Sequence, residues 1–118
     1  MENLSMKMIV AYIKEHMLEN VTLALHKIDG LTGMSIANYK GFGRSRGGTE
    51  NEERLEDGFD FLPCIKMEIT CEDELVEKIA HEIQTHAHTG LRRDGKIYVL
   101  PVDNAIRIST GAAGKDAI

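Results

Sequence analysis

Apolar and polar positions along the chain change period several times, and each change marks an element. Met6 to Ile13 is dense in Ile, Val and Tyr and reads as a buried strand. Lys14-Glu15-His16 breaks it. Leu18, Val21, Leu25 and Ile28 then recur at helical spacing with Ala24 on the same face, which predicts a helix over Met17 to Ile28, closed by Asp29-Gly30. After the tight connection Leu31-Thr32-Gly33, Met34 to Lys40 alternates, with Met34, Ile36 and Asn38 on one face and Ser35, Ala37 and Tyr39 on the other. Phe61 to Cys71 alternates again: Ile65, Met67, Ile69 and Cys71 against Cys64, Lys66, Glu68 and Thr70. Glu72, Asp73 and Glu74 suit the positive end of a helix whose apolar face is Leu75, Val76, Ile79, Ala80, Ile83 and Ala87, stopped at His88-Thr89-Gly90. A polar loop, Leu91 to Gly95, leads to a strand over Lys96 to Leu100. The turn Pro101 to Asn104 leads to a last short strand over Ala105 to Ser109, and residues 110–118 form a small-residue tail.

The order is β-α-β, a long loop, β-α-β and a short β. Two such units side by side make an α+β ferredoxin-like sandwich, βαββαβ, with two helices on one face of an antiparallel sheet. The expectation is a single domain over residues 1–118. The other sheet face must also be covered; Tyr12 and Val99 are assigned to it, and oligomerisation is its simplest cover. The loop between strands 2 and 3, about residues 44–60, has almost nothing to bury, and loops of that length in compact domains usually have a function.

Composition narrows the classes. A hydrophobic content of 42% supports a globular core, and the net charge of -5 lacks the basic footprint that nucleic-acid binding requires. No apolar run is long enough to span a membrane, and the first residues lack signal-peptide order, so a cytoplasmic protein without membrane insertion is expected. Cys64 and Cys71 stand at an odd separation in one strand, on opposite faces, which disfavours a mutual disulfide.

Three segments carry candidate chemistry. Gly41-Phe42-Gly43-Arg44 lets the backbone approach a ligand and offers amides to phosphate oxygens. Asp94-Gly95-Lys96 brings a lysine into a strand from a loop where Arg92 and Arg93 add positive charge. In Ile106-Arg107-Ile108-Ser109, alternation puts Arg107 and Ser109 on one face, where Arg107 can clamp a phosphate. Separately, His86 and His88 flank Ala87 at a helix end, with His81 seven residues before His88; such spacing can bind a transition metal, or simply suit a helix C-terminus. No G-x-S-x-G, G-K-[ST] or H-E-x-x-H pattern is present. An acylphosphatase-like enzyme would want a phosphate cradle after the first strand, where Lys14-Glu15-His16 stands. The chain is therefore expected not to be an enzyme.

L-T-G-M-S, K-G-F-G-R, F-L-P after the loop, H-T-G, D-G-K-I-Y-V and R-I-S-T-G occur in this order. With them the chain resembles the P-II signal-transduction family from Met6 to Ile118. The resemblance implies a homotrimer with ATP or ADP, and AMP as a further candidate, in three clefts between subunits. It also implies that the long loop contacts a membrane transporter or an enzyme. Carried over residue by residue, Gly41, Gly43 and Arg44 form the loop base beside the nucleotide. Asp94, Gly95 and Lys96 form a second nucleotide loop, and Arg107 reaches phosphate. Ser35 stands where the family often has a threonine that contacts adenine.

The departures are specific. The family's glutamine after G-F-G-R is Ser45, the second arginine of R-I-R-T-G is Ser109, and the first glycine of G-D-G-K is Arg93. The lysine that pairs with 2-oxoglutarate is Cys64, and a thiol cannot supply that charge, which counts against 2-oxoglutarate sensing. The loop holds no tyrosine, which excludes tyrosine uridylylation. A divergent P-II-like branch is expected: a nucleotide-responsive regulator, with a metal-responsive trimer using His86 and His88 as the alternative.

Overall fold

The computed structural model describes residues 5–42 and 61–118. Strand β1 (Met6–Ile13) runs through a 3-10 turn at Glu15–Met17 into helix α1 (Leu18–His26), and β2 (Ser35–Gly41) follows. Strand β3 (Leu62–Glu72) repeats the pattern through Asp73–Leu75 into α2 (Val76–Ala87), and β4 (Lys96–Pro101) returns. Neither helix has a side-chain cap; Asp73, Glu74 and Glu77 instead place negative charge at the entry to α2. The stretch after α1 turns at Gly30, whose φ of 94 is left-handed.

The four strands lie in the order β2-β3-β1-β4, each antiparallel to its neighbour. With both helices on one face, this is the expected ferredoxin-like α+β arrangement. The core lies between sheet and helices. Ile9, Ala11 and Ile13 of β1 and Ile65, Met67, Ile69 and Cys71 of β3 meet Val21, Leu25 and Ile28 from the first helical segment and Ile79, Ile83 and Ala87 of α2. The expected faces of β3 are the observed ones. Cys64 and Cys71 are unbridged, Cys71 in this core and Cys64 on the opposite face.

Two expectations are corrected. Ala105 to Ser109 is not a strand of the sheet. Ile106 forms an isolated bridge with Ala113, and the chain turns back on itself through Arg107 N–H to the Ala112 carbonyl (2.9 Å) and Gly111 N–H to the Arg107 carbonyl (2.7 Å). Gly111 and Gly114, both left-handed, make that reversal possible, so the alternation that grouped Arg107 with Ser109 does not run through the segment. Val99 is also reassigned. It pairs with Ile9 and so lies on the helix side, while Tyr98, opposite Val10, takes the place on the open face. That face carries Tyr12 between Tyr39 and Tyr98, with ring centroids 5.6 and 6.3 Å away, and the Lys66 ammonium sits 5.2 Å from the Tyr39 ring.

Truncating a fully buried residue of this core leaves a cavity that the sheet and two helices cannot close. Ile79→Ala is expected to cost about 2–5 kcal/mol in denaturant unfolding, whereas Leu23→Ala, on the exposed side of α1, should stay within about 0.5 kcal/mol of the parent.

Candidate functional site

At one end of the sheet β1 leaves, β2 arrives, and β3 and β4 begin. Their ends enclose an open cleft of about 1080 Å³. Tyr12, Tyr39 and Tyr98 contribute aromatic surface to it, and Gly41, Phe42, Leu62 and Cys64 form the side nearest the long loop. Phe42 and Phe61, which flank residues 43–60, meet edge to face at 6.3 Å. Among the described residues the lining holds five basic side chains, Lys14, Lys40, Arg92, Arg93 and Lys96, against two acidic ones, Glu15 and Asp94. A chain of net charge -5 has thus gathered positive charge in one concavity, where low-dielectric walls strengthen the field felt by an anion.

The loop between α2 and β4 is held by Asp94. Its carboxylate accepts hydrogen bonds from the Thr89 amide (2.9 Å), the Thr89 hydroxyl and the Gly90 amide (3.1 Å). The Lys14 ammonium stands 3.2 Å from Oδ1 and donates to the Thr89 hydroxyl oxygen at 3.0 Å. Burial alone would raise the carboxyl's pKa, but these donors outweigh it and hold the group well below the usual carboxylate range. Asp94 therefore spends its oxygens on the loop. Lys14 and Thr89, read from the sequence as a strand breaker and a helix stop, are the two side chains that anchor it. The signal was the Thr-Gly pair placed five residues before an aspartate.

Gly95 has a steric reason to be glycine. Its φ is 106, and a Cβ there would lie 1.7 Å from the Tyr12 carbonyl oxygen. Gly41, by contrast, has nothing within 4 Å of a Cβ position among the described residues, and it lines the cleft. Lys96 lines the cleft from the start of β4. Arg93 is the non-glycine residue with positive φ (67) among the described residues, at the position where the family resemblance puts a glycine. Cys64 also faces the cleft; burial, and then the nearby Glu15, push its thiol pKa up, so it carries no charge at neutral pH.

The other expected site residues are not gathered here. Ser35 begins β2, roughly 20 Å along the strand from Gly41, and Arg107 and Ser109 lie in the exposed turn after β4; none of the three lines the cleft. Gly43, Arg44 and Ser45 fall outside the described residues. The expected histidine site does not assemble. His86 Nε2 pairs with Glu82 (3.2 Å), His88 Nδ1 faces Asp94 (3.5 Å), and His81 contacts Thr85 (3.5 Å). His88 has already left the helix into extended backbone, so it no longer continues the face of His81. No group of three or more His, Cys, Asp or Glu suited to a metal occurs among the described residues. Nor is any helix among them long and apolar enough to cross a membrane.

Comparison with known proteins extends this picture. The model of the family described as nitrogen regulatory protein P-II matches residues 6–112. The nitrogen regulatory protein P-II of Azospirillum brasilense is 48% identical over 113 residues, covering 96% of this chain and 100% of the relative. The chain belongs to the nitrogen regulatory protein P-II family. The P-II protein of Rhodospirillum rubrum is 49% identical over the same share of both chains. The crystal structure of Arabidopsis thaliana PII bound to citrate matches with a TM-score of 0.78 at 32% identity, over 97% of this chain and 92% of that one. These relatives are nitrogen regulatory proteins, so regulatory signalling is the setting of the cleft.

Two substitutions test how the loop is built. Gly95→Ala should destabilise the fold by more than about 2 kcal/mol, read as a lowered denaturation midpoint, because the added carbon overlaps backbone. Asp94→Asn should cost about 2 kcal/mol at pH 7. Because the folded-state pKa is depressed, the unfolded chain takes up the proton first as pH falls. The carboxylate's contribution is therefore full above its ordinary value of 3.8 and is lost below it. Unfolding curves of parent and variant should converge as pH drops below 3.8.

Proposed function

We propose that this chain is a nucleotide-responsive P-II regulator that binds ATP or ADP in the cleft and acts on a transporter or enzyme through residues 44–60. The observation that carries this reading is the concentration of basic side chains and open glycine backbone in one cleft of an acidic chain. Lys96 serves as a point charge for phosphate. Gly41 forms a glycine wall of the cleft, Gly43, Arg44 and Ser45 are proposed as further ligand contacts on the family resemblance, and the tyrosines offer surface for a base. Asp94 and Gly95 keep the second loop in place rather than touching the ligand.

Ser35, Arg107 and Ser109 have no route to the cleft of their own chain in this reading. They complete the cleft of a neighbouring subunit, which is the reason to propose a homotrimer with three shared sites. The apolar and aromatic open face of the sheet supports the same assembly, since association would cover it. That the Arabidopsis relative was crystallised bound to citrate, an anionic small molecule, is in keeping with anion binding in this fold. Occupancy of the cleft would favour one arrangement of the loop that leaves it at Phe42 and returns at Phe61, and so change the fit to a target; a ligand shifts such an equilibrium by its differential affinity for the two states.

Calorimetric titration with ATP, ADP and AMP tests the reading directly. ATP or ADP should bind, and Arg107→Ala should weaken binding by about tenfold or more, equivalent to about 1.4 kcal/mol. Folded protein that takes up none of the three would end the proposal, and unchanged affinity in the variant would remove Arg107 from the site.

A further inference from the structure

Arg93 combines two unfavourable features at one position. Its backbone is left-handed, with φ 67, a conformation that costs an L-residue with a side chain free energy that glycine is spared. Its Nε is buried and has no hydrogen-bond partner among the described residues, although a buried donor without an acceptor is costly. A residue needed merely to make the turn would be glycine or asparagine. An arginine there forfeits the easy backbone and becomes part of the lining of the cleft.

The surroundings say what the unmatched donor would accept. Lys14, Lys40, Arg92 and Lys96 share the lining with it. Of the two acids, Asp94 is next to Arg93 in sequence but directs its oxygens to Thr89, Gly90 and Lys14. The acceptor that fits such a place is an anionic oxygen brought by a ligand, and a guanidinium is suited to phosphate because its planar N–H groups match two oxygens at once. We propose that Arg93 is a specificity-determining ligand contact in the cleft. Its guanidinium takes up a phosphate group, so the cleft prefers the more highly phosphorylated nucleotide. This rests on the cleft being the nucleotide site, as proposed above.

The test is calorimetry of the full chain with ATP, ADP, AMP and inorganic triphosphate, for the parent, Arg93→Gly and Arg93→Lys, with denaturation midpoints measured in parallel. Arg93→Gly should raise the midpoint, because the turn is relaxed. It should at the same time weaken ATP by about tenfold or more and shrink the preference for ATP over AMP. Arg93→Lys, which keeps the charge but not the planar fork, should fall between. A role confined to the turn would move the midpoint and leave binding unchanged. A parallel loss for inorganic triphosphate supports contact with phosphate irrespective of the base. If Arg93→Gly binds every ligand as the parent does, or loses affinity equally for ATP and AMP, the inference is overturned while the nucleotide reading stands. If the folded parent binds none of the four ligands, both fall.

Discussion

The cleft depends on one carboxylate. Asp94 joins the end of α2, through Thr89 and Gly90, to the end of β1, through Lys14. Without that knot, the segment between α2 and β4 would have no reason to lie against the Tyr12 carbonyl, where Gly95 is already closer than any side chain would permit. The bond set is strong because each donor to Asp94 is either a backbone amide with a fixed direction or a charged or hydroxyl group fixed by a second contact. Charge-assisted hydrogen bonds of this kind exceed neutral ones, and the depressed pKa of the carboxyl is their electrostatic signature.

That knot also sorts the charges of the cleft. By absorbing Lys14 and its own negative charge into a neutral, hydrogen-bonded unit, Asp94 leaves the other basic residues of the lining, Lys40, Arg93 and Lys96 among them, to set the local field, opposed by Glu15. The chain as a whole is acidic, so its surface field does not favour anions in general. Selective attraction at one concavity is what a small anionic effector requires, and it differs from the broad basic surface that nucleic acid would need. The raised pKa of Cys64 fits the same division, since a neutral thiol beside Glu15 neither adds to nor cancels the positive field.

Much of the fold was legible because β3 is central. Ile65, Met67, Ile69 and Cys71 are all buried while their neighbours on the opposite face are polar or small, and a register slip of one residue would invert every one of them. The edge strand β4 had no such anchor. Ile97 packs on the core, but Tyr98, Val99 and Leu100 are all about half exposed, so alternation could not say whether Tyr98 or Val99 belonged with Tyr12. The segment after β4 was misjudged for a different reason: Ile106 and Ile108 look like strand residues, yet left-handed Gly111 and Gly114 turn the chain before it can join the sheet. Lys96 and Gly41 could be assigned to the site from motif spacing, but the Lys14 and Thr89 contacts are tertiary and left no periodic trace.

Arg93 shows a limit of another kind. The sign of a backbone dihedral is invisible in a run such as Leu91-Arg92-Arg93-Asp94, where every residue is ordinary for a polar loop. Local preference and observed conformation disagree at this position, and such conflicts concentrate where function overrides the best local choice. The neighbouring glycine makes the contrast informative. At Gly95 the backbone demands glycine and has it, whereas at Arg93 the backbone favours glycine and has an arginine lining the cleft instead. One loop thus carries both a residue chosen for the fold and a residue retained against it, and the proposed phosphate contact would give the second its physical explanation.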